Sequence, residues 1–248
     1  MSNDLHDRVA LVTGAWRGIG RAVARRLIDA GAIVAVNVRD EERAQQAAAA
    51  LGPNAVPAPG DVSRGDAVEQ IVETVLDRCA RIDVLVNNAA LAVGTRFPEL
   101  GEEEWRCAFD VNVTGPFLLI KAVYPTMQRL GRGRIVNMGS LAGRTVSNLG
   151  GAHYTASKHA LIGLTRAAAR ELGPLGITVN AICPGVIDTE LVRQVDPERV
   201  QQLVGGQVPL RRLGTADEVA ELVCFLTSDG AGYINGAAID INGGMLMM

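Results

Sequence analysis

Short apolar segments rich in Val, Ile and Ala alternate with longer segments of helical periodicity along this chain of 248 residues. The strand-like segments cover about residues 8–13, 32–38, 83–86, 134–138, 177–182 and 238–241, and a further one ends near residue 61. The helical patterns cover about residues 18–30, 41–51, 68–79, 102–127, 154–172 and 216–226. Strands that alternate with helices are joined by right-handed crossovers and form a parallel sheet. The sequence therefore predicts one α/β domain over residues 1–248, with a doubly wound parallel sheet of about seven strands and helices on both faces.

Composition and charge exclude several classes of protein. The apolar fraction is 48% and the aromatic fraction 4%, which suits strands of branched aliphatic residues buried on both faces. A net charge of -3 without a basic stripe argues against a nucleic-acid partner. No apolar run approaches the roughly 20 residues that cross a bilayer, and the polar first residues do not resemble a secretory signal. Four cysteines without metal or redox spacing are expected to be reduced, in a cytoplasmic protein without a metal site.

A glycine-rich turn follows the first strand, where residues 13–20 read Thr-Gly-Ala-Trp-Arg-Gly-Ile-Gly. Glycines allow a sharp turn and a close approach of phosphate to the backbone, and the following helix N-terminus attracts the pyrophosphate. The spacing Gly-x-x-x-Gly-x-Gly differs from the commoner Gly-x-Gly-x-x-Gly, and an isolated turn of this kind is an ordinary tight loop about half the time. Its position between a strand and a helix favours a dinucleotide site.

Tyr154 and Lys158 are one helical turn apart and therefore share a helix face. A cation beside a phenol stabilises the phenolate, so we expect Lys158 to lower the pKa of Tyr154 towards the range useful for proton transfer. An isolated Tyr-x-x-x-Lys is only a surface stripe in roughly nine of ten cases. Here Ser140 ends an apolar run upstream and Asn112 precedes it, and the combination indicates an enzyme.

Taken together, these segments resemble the short-chain dehydrogenase/reductase family over essentially the whole chain. The matching segments are residues 13–20, Asp61 with Val62, residues 87–90, Asn112, Ser140, Tyr154 with Lys158, and Pro184 with Gly185. Within the family the likeness is greatest to ketoreductases related to the 3-oxoacyl-(carrier-protein) reductases, and it continues through residues 208–214, 233–236 and 242–244. The resemblance implies a Rossmann fold and an oxidoreductase that reduces a carbonyl to a secondary alcohol by hydride transfer.

The resemblance also implies a role for each catalytic residue. Tyr154 is the acid or base at the reacting oxygen, and Ser140 donates a hydrogen bond to the same oxygen. Lys158 tunes the tyrosine and binds the nicotinamide ribose. Asn112 bends the long helix, which also contains Pro116 as an expected bend, and holds a water that links Lys158 to solvent. The alternative interpretations are a turn cap for Ser140 and a satisfied helix-interior amide for Asn112.

The choice of cofactor depends on the end of the second strand. Val38 occupies the position where an NAD enzyme usually places a carboxylate for the ribose 2′-hydroxyl, and Arg39 follows it. A guanidinium suits a 2′-phosphate, and Arg17 in the glycine turn is available to the same group. NADP(H) is therefore favoured, although Asp40 and Glu41 keep NAD(H) open. The expected cofactor-binding residues are Gly14, Arg17, Gly18, Ile19, Gly20, Arg39, Asp61, Val62, Asn87, Ala89, Tyr154, Lys158, Pro184, Gly185, Ile187 and Thr189.

The substrate is less constrained by the sequence. We expect residues 188–207, which carry few core signals, to form a mobile flap over a largely apolar pocket. The candidate substrate residues are Leu91, Val93, Leu141, Val146, Leu149, Val186 and Leu191. Carrier-protein reductases often have a basic residue where this chain has Leu175, so docking of an acyl carrier protein is doubtful, although Arg129 and Arg132 are nearby. A freestanding small-molecule ketone or alcohol is at least as well supported.

Assembly and two alternative functions complete the expectations. The predicted helices over residues 102–127 and 154–172 are apolar on more than one side, and the family pairs them across a two-fold axis. With a second contact through the apolar residues 244–248, this predicts a homotetramer. The first alternative function is an NAD-dependent alcohol, sugar or polyol dehydrogenase. The second is a regulatory dinucleotide-binding protein without turnover, although this chain keeps all four catalytic residue types.

Overall fold

The computed structural model describes residues 4–190 and 192–248. Within these residues, seven strands form one parallel sheet in the order β3-β2-β1-β4-β5-β6-β7. The strands are β1 (Val9–Thr13), β2 (Ile33–Val38), β3 (Ala55–Pro59), β4 (Val84–Asn87), β5 (Gly133–Met138), β6 (Ile177–Pro184) and β7 (Ala238–Ile241). The strand order reverses at the boundary between β1 and β4. The predicted doubly wound α/β fold is confirmed.

Eight helices of the described residues cover the two faces of the sheet. They are α1 (Gly18–Asp29), α2 (Glu41–Leu51), α3 (Gly65–Cys79), α4 (Glu102–Phe109), α5 (Gly115–Leu130), α6 (Ala152–Leu172), α7 (Pro197–Gln207) and α8 (Ala216–Thr227). One core packs α1, α2 and α8 against the sheet, and the other packs α3, α5 and α6 against its opposite face. Strands β1, β4, β5 and β6 are buried at every position, which explains their continuous apolar runs. No helix in the described ranges is both long and apolar enough to span a membrane.

The prediction of one long helix bent at Pro116 is wrong. Helix α4 ends at Phe109, a π-helical segment covers Asp110–Thr114, and α5 begins at Gly115. Pro116 lies in the first turn of α5, where a missing backbone N–H breaks no intrahelical hydrogen bond. The interruption lies around Asn112 instead, within the π-helical segment.

The expected flap over residues 188–207 contains more regular structure than its sequence indicated. A short 3₁₀ turn covers Val192–Gln194, and α7 follows it. The Asp196 side chain caps α7 by accepting a hydrogen bond of 3.0 Å from the Glu198 backbone N–H. Only Leu203 of α7 is buried, so the helix leaves almost no apolar periodicity in the sequence. The sequence Asp-Pro-Glu at residues 196–198, with proline at the first helical position, was the signal that indicated the start of this helix.

Candidate active site

The loop between β1 and α1 requires glycine at two positions. Gly14 has a φ of 64°, and a Cβ built on it would lie 2.9 Å from the Ala89 Cα. A Cβ on Gly20 would collide with the Gly14 carbonyl oxygen and with the Asn88 side-chain amide. The backbone of the turn is therefore packed closely against the end of β4 at the N-terminus of α1, and Gly14, Gly18 and Gly20 keep three of its positions free of side chains. This geometry fits a pyrophosphate group.

Asn88 and Thr13 hold the turn in place. The Asn88 Nδ2 donates hydrogen bonds to the carbonyl oxygens of Thr13 at 2.9 Å and Gly14 at 3.2 Å. In return, the Thr13 Oγ1 accepts hydrogen bonds from the backbone N–H groups of Asn88 at 2.9 Å and Ala89 at 3.0 Å. The sequence-based site did not include Asn88. Its position directly after β4, at the point where the strand order reverses, was the signal that pointed to it.

A cleft of about 440 Å³ opens at the carboxyl ends of β4, β5 and β6. Three of the four predicted catalytic residues, Ser140, Tyr154 and Lys158, line it together. The predicted cofactor residues in its wall are Ile19, Pro184, Gly185, Ile187 and Thr189. The predicted substrate residues in its wall are Leu141, Val146, Leu149 and Val186. Residues that the sequence did not single out also line it, among them Ala92, Asn148, Gln194, Val195, Leu203 and Met245.

Other predicted residues lie outside this cleft. The backbone of Leu91 is hydrogen-bonded to the Asn112 side chain. The Val93 side chain is exposed, and the backbone carbonyl of Val93 accepts a hydrogen bond of 2.9 Å from the Gly151 N–H. Neither residue is in the wall of this cleft, although Ala90, Ala92 and Gly94 are, and the role of Leu91 and Val93 toward a substrate stays a prediction. The candidate Leu191 lies outside the described residues. The predicted residues Gly14, Arg17, Gly18, Gly20, Arg39, Asp61, Val62 and Ala89 do not line the cleft and lie in or near the loops after β1 to β4.

Asn87 has a structural partner, and its predicted role at the cofactor stays a prediction. Its side chain is buried within the sheet, where Nδ2 donates a hydrogen bond of 2.8 Å to the Oδ1 of Asn137. Asn137 in turn donates a hydrogen bond of 2.9 Å to the hydroxyl of Thr165 on α6. Asn87 therefore belongs to a polar chain that joins β4, β5 and α6, and its side chain does not line the cleft.

Lys158 lies over the ring of Tyr154 rather than beside another charge. Its Nζ is 5.6 Å from the ring centroid and donates a hydrogen bond of 2.7 Å to the carbonyl oxygen of Met138. Burial disfavours the ammonium and lowers the pKa of Lys158 to about 8. Burial also raises the pKa of the Tyr154 phenol above its ordinary value, and the Ser140 side chain acts in the opposite direction. The expected lowering of the tyrosine pKa by Lys158 is therefore wrong for the protein alone.

Ser140 combines the two roles that the sequence left open. It precedes the 3₁₀ turn Leu141–Gly143, and its Oγ accepts a hydrogen bond of 3.1 Å from the Ala142 N–H. A hydroxyl that accepts one hydrogen bond still has a proton to donate. The Ser140 side chain also acts to lower the pKa of the Tyr154 phenol. The turn cap thus fixes the Ser140 hydroxyl in the wall of the cleft that Tyr154 also lines.

Asn112 connects three parts of the site from within the π-helical segment. Its Oδ1 accepts a hydrogen bond of 2.8 Å from the Leu91 N–H, and its Nδ2 donates to the Leu91 carbonyl at 2.9 Å and to the Ser157 hydroxyl at 3.0 Å. Ser157 donates in turn to the carbonyl oxygen of Tyr154 at 2.9 Å. The buried amide thereby ties the loop after β4 to the first turns of α6. The water that we expect beside Asn112 stays a prediction.

Charged side chains surround the ends of β2 and β3. Arg39 is exposed directly after β2, and Asp61 follows β3. Burial opposes ionisation of Asp61, but hydrogen bonds from the Ser63 hydroxyl and N–H, together with the charges of Arg39 and Arg64, keep its pKa below the ordinary value. Within residues 4–190 and 192–248, no three His, Cys, Asp or Glu side chains form a group that would hold a metal ion.

Comparison with known proteins agrees with this arrangement. A family model described as enoyl-(acyl carrier protein) reductase matches residues 14–246. The chain is 41% identical over 246 residues to the 3-oxoacyl-[acyl-carrier-protein] reductase of Pseudomonas aeruginosa, covering 98% of this chain and 99% of that protein. A protein of the same name from Synechocystis is 41% identical over 248 residues, covering 98% of each chain.

Solved structures share the fold at full length. The crystal structure of the 3-oxoacyl-[acyl-carrier protein] reductase from Brucella melitensis superimposes with a TM-score of 0.93 at 38% identity, covering 99% of this chain and 94% of that one. A putative gluconate dehydrogenase from Agrobacterium tumefaciens gives a TM-score of 0.94 at 32% identity, covering 100% and 99%.

Proposed function

Since this chain belongs to the short-chain dehydrogenase/reductase family, we propose that it is an NADPH-dependent reductase of 3-oxoacyl thioesters. The chain is an oxidoreductase that acts on carbonyl and hydroxyl groups. One observation carries the assignment to this site, namely that Ser140, Tyr154 and Lys158 share the wall of one cleft beside the glycine turn. The nicotinamide, when bound, supplies the hydride.

The residues of the cleft handle the proton and the developing charge. The raised pKa keeps the Tyr154 phenol protonated at neutral pH, as an acid must be when a carbonyl is reduced. Its proton passes to the substrate oxygen, which the Ser140 hydroxyl holds by a hydrogen bond that strengthens as negative charge develops. The Lys158 ammonium, 5.6 Å from the ring centroid, then stabilises the phenolate. In this account Lys158 acts after the proton has moved.

NADP(H) is the cofactor that the residues after β2 favour. Val38 offers no acceptor to a ribose 2′-hydroxyl, and Arg39 is exposed beside it. Asp40, one of the two acids that kept NAD(H) open, caps α2 by accepting a hydrogen bond of 2.9 Å from the Arg43 N–H. A carboxylate committed to a helix cap is less available to a ribose. Hydrogen bonds and charge from Arg39 suit a 2′-phosphate.

A 3-oxoacyl thioester fits the lining of the cleft better than a polyol does. The substrate half is formed mainly by small and aliphatic side chains, including Ala92, Leu149, Val186 and Val195. The names of the curated relatives also favour an acyl substrate. A carrier protein as the donor of that substrate is supported by those names and opposed by Leu175. Arg132 lies 3.5 Å from the Asp83 carboxylate, which leaves the exposed Arg129 as the freer cation for such a partner.

The proposed assembly is a homotetramer. Phe117 on α5 is 48% exposed and Trp105 on α4 is 38% exposed, where Trp105 also stacks on Phe109 with ring centroids 5.1 Å apart. The C-terminal Met247 and Met248 are exposed as well. Large apolar side chains clustered on helix surfaces are typical of interfaces, and two isologous contacts generate D₂ symmetry.

A substrate panel tests the proposed function. The panel contains a 3-oxoacyl thioester, a simple ketone, an aldose and an enoyl thioester, each offered with NADPH and then with NADH, and cofactor absorbance is followed. The proposal predicts the highest kcat/KM for the 3-oxoacyl thioester with NADPH. Turnover of the enoyl thioester alone would assign the chain to reduction of carbon–carbon double bonds, and reduction of the aldose with NADH would assign it to the polyol dehydrogenases.

A further inference from the structure

The glycine turn carries a tryptophan that the nucleotide-binding role of the turn does not require. Trp16 is 36% exposed, so it adds little to the core. The preceding residue, Ala15, donates a backbone hydrogen bond of 3.2 Å to the carbonyl oxygen of Asn37 in β2. This contact fixes the turn, and Trp16 with it, against the end of the strand that Arg39 follows. Trp16 is thus placed beside the expected position of the cofactor's 2′-substituent.

Arg43 lies on the face of this tryptophan. It belongs to the first turn of α2, and its guanidinium carbon is 6.0 Å from the centroid of the Trp16 ring. A guanidinium over an indole is held by the ring quadrupole, with about 0.5–1 kcal/mol at exposed sites. Arg43 forms no salt bridge with any carboxylate in residues 4–190 and 192–248. Trp16 therefore restrains a cation whose charge is not neutralised by an ion pair.

The acidic residues at the start of α2 have other partners. Asp40 accepts the backbone N–H of Arg43, as described above. Glu41 accepts a hydrogen bond of 3.4 Å from the Gln45 side chain, and Glu42 accepts one of 3.0 Å from the Gln46 side chain. These bonds run along the helix, away from its N-terminal end. None of the three carboxylates forms an ion pair with Arg43, so its guanidinium is available to an anion.

We propose that Trp16 and Arg43 form a further cationic element for the 2′-phosphate of NADP(H), in addition to Arg39 and to Arg17, which the sequence also makes available to this group. The proposal rests on the NADP(H) preference argued above. A phosphate monoester carries about -1.5 to -2 charge at pH 7 and has three acceptor oxygens, so it can bind two guanidinium groups at once. NAD(H) lacks this group and gains nothing from Arg43. Trp16 is a positioning residue that reduces the entropy lost when the arginine side chain is ordered.

Equilibrium binding, measured by calorimetry without turnover, tests the proposal. The ligands are NADPH, NADH, adenosine 2′-monophosphate and adenosine 5′-monophosphate. The variants are Arg43→Gln, Trp16→Leu and their combination, with Arg39→Ala as a reference. Arg78→Gln is the matched control, because Arg78 is an exposed arginine in the last turn of α3, at the opposite end of the sheet from the site.

The expected result is selective for the phosphate. Arg43→Gln should raise the Kd of NADPH and of adenosine 2′-monophosphate by about 10-fold or more, the scale of a hydrogen bond to a charged group, and leave the ligands without a 2′-phosphate unchanged. Trp16→Leu should raise the same two constants by about 2- to 5-fold. The double variant should be no weaker than Arg43→Gln alone, since Trp16 acts through Arg43. Arg78→Gln should change none of them.

Two different failures are distinguishable. Equal loss of NADPH and NADH in Arg43→Gln, or no loss of either, would overturn the role of Trp16 and Arg43 while Arg39→Ala still weakens NADPH alone. If wild type binds NADPH no more tightly than NADH and Arg39→Ala weakens neither selectively, the proposed NADP(H) preference itself is wrong. Thermal unfolding of each variant separates these results from loss of fold.

Discussion

The Lys158 ammonium lies over the ring of Tyr154, 5.6 Å from its centroid, while its hydrogen bond goes to the Met138 carbonyl. Burial acts on the two groups in opposite directions, since it lowers the pKa of the lysine to about 8 and raises the pKa of the phenol. At neutral pH the protein alone therefore holds a protonated tyrosine beside a charged lysine. This is the state that reduction of a carbonyl requires.

Lys158→Met should change how stability depends on pH. Wild type binds fewer protons at this site when folded than when unfolded between pH 8 and the ordinary lysine pKa of 10.5. The cost of the buried charge is therefore fully present below pH 8 and is lost as pH rises towards 10.5. The Tm of the Met variant minus that of wild type should be larger at about pH 7 than at about pH 9.5. A difference that does not change with pH would show that Lys158 is not held at a lowered pKa.

Asn112→Ala should destabilise the protein and slow turnover together. The substitution leaves the Leu91 N–H and carbonyl and the Ser157 hydroxyl without this partner. A buried unsatisfied polar group costs about 1–3 kcal/mol, so denaturant unfolding should show a loss of at least that size. Ser157→Ala, which removes one of these contacts, should lose less. Unchanged stability and kcat in Asn112→Ala would remove this residue from the positioning of α6.

The sequence predicted the sheet well because each strand is a short run of buried branched residues. The two errors in the helices have physical causes. The backbone around Asn112 is π-helical and its side chain binds a distant loop and α6, and the periodicity of apolar residues reveals neither feature. Helix α7 has a single buried residue, so its apolar periodicity was too weak to predict a helix. Among its sequence features, only the capping residue Asp196 indicated the helix.

The site was predictable where a residue's position in the chain is enough, either after a strand, as for Ser140, or one helical turn from its partner, as for Tyr154 and Lys158. It was less predictable where the direction of the side chain determines what the residue contacts. Ser140, Tyr154 and Lys158 converge on the cleft as expected. Side-chain direction separates Asn87, the last residue of β4, whose side chain is buried in the sheet, from the next residue, Asn88, which holds the glycine turn. The pKa of Tyr154 depends on burial, which motif spacing does not reveal.

Arg39→Ala should separate the two cofactors. Loss of a hydrogen bond to a charged group costs about 1.5–3 kcal/mol, so NADPH should bind more weakly by that amount while NADH binding barely moves. The preference of wild type for NADPH should shrink at high salt, because part of it is electrostatic. Calorimetric titration at low and high salt measures both effects. Equal weakening of the two cofactors would mean that Arg39 is structural.

The oligomeric state is measurable by light scattering. We expect a mass about four times the 26.1 kDa of one chain, because the apolar surfaces of α4, α5 and the C-terminus would otherwise face water. Phe117→Glu places a charge on the exposed surface of α5 and should reduce the mass, while Arg78→Gln should not. A wild-type mass near 26.1 kDa would exclude the assembly, and a stable dimer would leave one of the two contacts.

The most direct test of the central claim compares NADPH consumption by wild type and by Tyr154→Phe with a 3-oxoacyl thioester as substrate. The substitution deletes the transferable proton and keeps the ring over which Lys158 lies. General acid catalysis contributes about 10² to 10⁴ in rate, so kcat should fall by that factor while the Kd of NADPH and the Tm stay near their wild-type values. Turnover of the Phe variant at a rate close to wild type would contradict the assignment of Tyr154 as the acid.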